Sequence, residues 1–163
     1  MKIEDYKDLD ELAAKAAPHF KKYKKKNQKQ LKKMDCEIHQ LHNIYTERID
    51  CLQCANCCKT LGPRITENDI KRMAKSLKMS SAKVFDTYLR VDEDGDYVFK
   101  EMSCPFLMPD NYCIIYENRP TACREYPHTD RKKFYQIYNL SIKNAYTCPI
   151  AYEVLSGILR IKK

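Results

Sequence analysis

Apolar residues in the first fifty positions recur at intervals of three and four. Tyr6, Leu9, Ala13, Ala16 and Phe20 form one stripe, and Leu31, Met34, Ile38, Leu41 and Tyr45 form another. Such spacing gathers side chains on one face of a helix, so both stretches are predicted to be amphipathic helices. Pro18 lacks the amide hydrogen that a helix interior needs and is predicted to divide the first stripe from the lysine-rich portion after it. Only Phe20 and Tyr23 are apolar between Pro18 and Leu31, which makes that portion the most solvated of the region.

Beyond residue 50 the pattern breaks into short elements. Thr66-Glu67-Asn68-Asp69 reads as a capping box, with Ile65 and Ile70 placed as a hydrophobic staple. A helix is therefore predicted from about Glu67, burying Ile70, Met73, Ala74 and Leu77. A second should follow Ser80-Ser81 and bury Val84, Phe85, Tyr88 and Leu89. Leu89 to Val91 and Tyr97 to Phe99 flank the turn-rich Asp92 to Asp96 and read as a hairpin. Phe106 to Met108, Pro109-Asp110-Asn111 and Tyr112 to Tyr116 suggest another. Pro120 could open a short helix that Pro127 ends, and residues 132 to 160 look helical with a break at Cys148-Pro149. The expected fold class is α+β and predominantly helical: an N-terminal helical segment over 1–50, then a small domain with short β-hairpins over 51–163.

Charge sharpens this division. The chain has 163 residues and a formal net charge of +8. Residues 1–20 contribute −2, Lys21 to Lys33 contribute +8 from eight lysines with no acid, and the remainder contributes +2. The excess thus sits in one lysine-rich run, which could contact an acidic protein or nucleic-acid partner through phosphates. Only Tyr23 interleaves as a stacking platform and no arginine is present for base readout, so a solvated helix face is the simpler reading. No apolar run approaches the roughly 18 residues of a membrane span, and no broad apolar face lies beside the lysines for a membrane surface. The acidic, polar start does not read as a signal peptide, so a cytoplasmic location is expected.

In a reducing compartment thiols serve metals or catalysis more often than disulfides, which makes the nine cysteines informative. Cys51, Cys54, Cys57 and Cys58 form C-x2-C-x2-C-C, and Cys104, Cys113, Cys123 and Cys148 follow singly. Two intervening residues let a tight turn aim two thiolates at one metal. Neighbouring side chains diverge, so Cys57 and Cys58 should serve different sites or a polynuclear one. Eight motif cysteines, with Cys36 outside, are twice the four that tetrahedral zinc or a cubane iron–sulfur cluster requires. Two four-cysteine sites are expected, which makes residues 51–163 a small metal-stabilised cysteine-cluster domain. One overlapping C-x2-C-x2-C run completed by Cys104-Pro105 and Cys148-Pro149 favours an iron–sulfur cluster over Zn2+. The radical-SAM spacing C-x3-C-x2-C is absent, and the βαβ setting of a redox CxxC is missing.

Taken with Cys104-Pro105-Phe106-Leu107, Cys113-Ile114-Ile115-Tyr116, Arg119-Pro120-x2-Cys123-Arg124-x-Tyr126-Pro127 and Cys148-Pro149, the run from Cys51 resembles the CxxCxxCC cysteine-cluster family, the YkgJ-like proteins described as zinc- or iron-chelating. The likeness spans about residues 51 to 150; Glu117-Asn118 is one residue longer than in many members, and residues 1–50 match nothing familiar. It implies metal chelation by the eight cysteines, with a redox or electron-transfer role as one expectation. A structural zinc module that binds a partner is an alternative. So is a component of a protein-modifying enzyme related to lysine methylases, although no region for a methyl-transfer cofactor is recognisable.

Arg119 and Arg124 bracket Cys123 and are candidates to support an anionic thiolate centre. His128 reads as a loop histidine. Cys36, His39 and His42 lie three apart on a helix, too far around its axis to face one ion. Asp92, Asp94 and Asp96 alternate like a calcium loop, but the glycine is misplaced and Ser103 stands where the closing glutamate belongs, so a charged hairpin turn suffices.

Overall fold

The computed structural model describes residues 2–161. The described chain is predominantly helical α+β, with ten α-helices and a two-stranded antiparallel sheet. In order these are α1 (Leu9–Lys26), α2 (Gln28–Leu31), α3 (Asp35–Arg48), α4 (Cys51–Cys54), α5 (Asn56–Thr60), α6 (Glu67–Leu77), α7 (Ser81–Tyr88), β1 (Leu89–Val91), β2 (Tyr97–Phe99), α8 (Thr121–Glu125), α9 (Tyr138–Asn144) and α10 (Pro149–Arg160). The chain divides into two compact units, one ending at Cys51 and resuming at Pro127, the other covering Leu52–Tyr126. No helix among the described residues is long and apolar enough to cross a membrane.

The first unit is built around α10, which packs against α1, α3 and α9. Pro149 starts it at a position where the missing amide costs nothing. Ile150, Ala151, Val154, Leu155, Gly157 and Ile158 are all buried. A Cβ on Gly157 would stand 2.9 Å from a Leu41 methyl, so the glycine sets the approach of α3. Glu153 is buried in this helix and accepts hydrogen bonds from the Tyr6 hydroxyl at 3.2 Å and Arg160 at 3.4 Å.

The buried stripe of the N-terminal region is Tyr6, Leu9, Ala13, Ala17 and Phe20, then Leu31, Met34, Ile38, Tyr45 and Ile49. Contrary to expectation, α1 runs unbroken through Pro18. Ala13, Ala17 and Phe20 hold its inner face on both sides of the proline, while Ala14 and Pro18 are exposed. The Ala14 carbonyl, which would otherwise accept from residue 18, can therefore bond water. Within the lysine run, Lys24 donates to Asn139 at 3.0 Å and Lys32 lies 5.6 Å from the Tyr135 ring centroid, while most of the other lysines are exposed.

The second unit has its own core of Ile65, Ile70, Met73, Ala74, Val84, Leu89, Phe99, Phe106 and Ile115. The predicted helix starts hold. Thr66 caps α6, its hydroxyl accepting from Asp69 N–H at 3.2 Å, and Ser80 caps α7 by accepting from Lys83 N–H at 3.1 Å. β1 and β2 pair with Leu89 opposite Phe99 and Val91 opposite Tyr97. The second hairpin is a single bridge, Leu107 opposite Cys113, around a turn in which Asn111 takes a positive φ of 65°.

Asp69 is fully buried and joins α6 to α8. One carboxylate oxygen accepts from the Thr66 amide at 2.9 Å and hydroxyl at 2.6 Å. The other accepts from the Thr121 amide and hydroxyl, both at 2.9 Å, and from Arg72. Burial pushes this carboxyl upward, but the hydrogen bonds from Thr66 and Thr121 outweigh it and hold the group at about 2, below its ordinary 3.8. Asp69→Ala leaves buried donors without an acceptor and should cost about 3 kcal/mol or more of unfolding free energy. Because the folded carboxyl is the stronger acid, its contribution is complete above about pH 4 and fades as pH falls toward 2. Urea unfolding from pH 5 to pH 2 should show the gap between wild type and Asp69→Asn closing in that window; a gap constant with pH would contradict this account.

Candidate metal centre

The cysteines of the C-x2-C-x2-C-C run lie on two single turns of helix. Cys51 and Cys54 begin and end α4, and Cys57 and Cys58 lie on α5. Between the turns Ala55 is buried and left-handed at φ 47°, so the chain reverses without a glycine. Lys59 reaches back to the Cys54 carbonyl at 3.4 Å. The Cys58 carbonyl accepts the amide of Cys104 at 2.9 Å, which docks the segment around Cys104 onto this turn.

Cys104 and Cys113 each open the same kind of tight turn. The Cys104 carbonyl accepts from Leu107 N–H and the Cys113 carbonyl from Tyr116 N–H, both at 3.0 Å. Within these turns the amides of Phe106 and Leu107 donate to Cys104, and the amide of Ile115 donates to Cys113, which favours the thiolate form. The residue two places after each cysteine, Phe106 or Ile115, buries its side chain in the core. Sequence reasoning missed these donors; the shared signal was a large apolar residue at that offset. Cys123 lies on α8, two residues beyond the Thr121 that Asp69 holds.

Of the eight predicted ligands, Cys58, Cys104, Cys113 and Cys123 lie within electrostatic reach of one another in the second unit. Cys54 and Cys57 belong to that unit too, while Cys51 and Cys148 belong to the first. Cys148 is buried at the start of α10, Cys51 is exposed, and all nine cysteines are free of disulfides. Among the described residues no three His, Cys, Asp or Glu side chains converge closely enough to hold an ion, so the thiols are neighbours and not yet a closed ligand set.

Arg119 donates to the Tyr116 carbonyl at 3.1 Å, and its guanidinium lies 3.7 Å above the centre of the Tyr116 ring. From there its charge acts on Cys58, Cys113 and Cys123. Arg124 instead donates to the Thr121 hydroxyl at 3.3 Å. His42 pairs with the buried Thr129 hydroxyl at 2.7 Å in the other unit.

The four neighbouring thiols differ in acidity. A hydrogen bond from Cys57 pulls Cys58 down to about 7 against the effect of burial, with help from Arg119 and Lys59. Burial pushes Cys104 up to about 11 and Cys123 up to about 12, each further raised by neighbouring thiols, and burial raises Cys113 as well. Full ionisation of such a group is opposed by mutual repulsion, and a bound cation removes that opposition. The donor set, sulfur with directed amides and one guanidinium, fits a thiolate-bound metal. In reduced, metal-free chain, alkylation of Cys58 should be half-maximal near pH 7, well below Cys104 and Cys123. Arg119→Gln should move that midpoint upward; peptide mapping of labelled protein checks both, and an unchanged midpoint would refute the role given to Arg119.

Residues 50–148 match the model of the family CxxCxxCC, described as "Putative zinc- or iron-chelating domain". No curated protein and no solved structure matches the chain. The match covers more than half of the 163 residues and contains seven of the eight motif cysteines before ending on the eighth, Cys148, so this chain belongs to the CxxCxxCC family.

Proposed function

We propose that the chain is a metal-chelating protein whose eight motif cysteines bind as thiolates in two centres, with iron in iron–sulfur clusters as the cargo favoured over zinc. The observation that carries the chelation reading is the pair of matching turns at Cys104 and Cys113, whose amides point at sulfur. Amide donors cost little beside a neutral thiol and stabilise a negative one, so their value is realised when the sulfur is ionised by a metal. The preference for iron rests on the overlapping C-x2-C-x2-C spacing and the distal Cys-Pro pairs. A bound cluster would supply one-electron transfer, and bound zinc would supply folding energy alone.

Protein purified without oxygen should be coloured and contain iron and acid-labile sulfide in about equal amounts. A colourless protein with two zinc ions would overturn the choice of iron and leave chelation standing. Folded protein free of any metal would overturn chelation. Stripping the metal with a chelator should lower the thermal unfolding midpoint, because binding free energy to a site formed only in the folded chain is folding free energy.

A further inference from the structure

We propose that Cys58, Cys104, Cys113 and Cys123 are the four ligands of one tetrathiolate centre contained within residues 52–126. This inference rests on the chelation reading and adds to it the assignment of ligands to a site.

Four observations bring these residues together. The Cys104 amide is bonded to the Cys58 carbonyl at 2.9 Å, so the two backbones are joined at those residues. The Leu107–Cys113 bridge and the bond from Ile114 N–H to the Phe106 carbonyl at 3.0 Å place the Cys104 and Cys113 turns side by side. Both cysteines pack on one core, with Phe106 and Ile115 as the anchors of their turns. Finally, Cys123 lies within electrostatic reach of Cys104, Cys58 and Cys113, on a helix whose first amide is fastened to Asp69.

Cys58 bears on each of the other three members. Its neighbour Cys57 hydrogen-bonds to Cys58, whereas the thiols that act on Cys104, Cys113 and Cys123 are Cys58 and one another. Four thiolates around a divalent ion leave a net charge of about −2. Arg119, held on the Tyr116 ring, is a fixed cation within reach of three of the four sulfurs. Because the core and Asp69 already hold the four backbones, only the sulfurs need to close.

The test uses the full chain, reduced and metal-free, loaded with cadmium-113, which binds thiolates as zinc does and is read directly by NMR. Correlation of each cadmium resonance with cysteine β-protons reports the ligands without any substitution. One resonance should couple to Cys58, Cys104, Cys113 and Cys123 and to no other residue. Coupling of one ion to a mixed set, such as Cys57 with Cys104, or a cysteine bridging two ions, would overturn the assignment while leaving chelation intact. A reduced, folded chain that binds no cadmium would instead overturn chelation itself. As a second measurement, Cys58→Ser and Cys123→Ser should each lose one equivalent of cadmium, and the double variant should lose that same single equivalent. Loss of two equivalents by the double variant would mean that the residues serve different centres.

Discussion

The second unit depends on burial of two side chains, Phe106 and Ile115, in a core shared with α6, α7 and the β1–β2 hairpin. Phe106 packs against Tyr88 and Phe99 with ring centroids 4.8 and 5.7 Å away. Phe106 and Ile115 each follow a cysteine by two positions, so holding the side chain also holds the amide that meets sulfur. Hydrophobic burial, which has no direction of its own, is converted here into directed hydrogen bonding. Core packing and thiolate stabilisation are therefore energetically linked in this unit, and a substitution at the core would be felt at the sulfurs.

Asp69 applies a second form of the same economy. A buried carboxylate is costly unless its lone pairs are all engaged, and Asp69 engages them by capping α6 with one oxygen and holding the start of α8 with the other. Its charge is thus settled locally, by amides, hydroxyls and Arg72. The thiols have no comparable local settlement. Cys57, Arg119 and Lys59 lower Cys58 alone to near neutrality, while burial keeps Cys104, Cys113 and Cys123 protonated. A carboxylate whose charge is settled by its neighbours and a set of thiols that burial mostly keeps protonated thus lie within one small unit.

What the sequence made legible was local. The starts of α6 and α7 could be read because a capping residue and its partner lie three positions apart, and the β1–β2 hairpin because its turn is rich in Asp and Gly. Pro18 was misread because the cost of a helix proline depends on whether the orphaned carbonyl can reach water, which the surrounding fold decides. The packing of α9 and α10 with α1 was not written in the pattern, since an amphipathic stripe shows that a face is buried and not what buries it. The cysteine types and spacings announced metal chemistry, and the family match agrees. The donors to sulfur were hidden because backbone amides carry no residue label, and Asp69 was hidden because its role for α8 depends on a contact fifty-two positions away.

Tyr116 gives the chain an optical property. There is no tryptophan among the 163 residues, so ultraviolet emission comes from tyrosine. Tyr116 closes the turn at Cys113, stacks on Tyr112 at 6.0 Å and carries the Arg119 guanidinium on its face. A cation and a stacked ring both perturb the excited state of a phenol. Of the twelve tyrosines, the one that ends this turn therefore has surroundings unlike those of a phenol standing free in water, and they last only while the turn is intact.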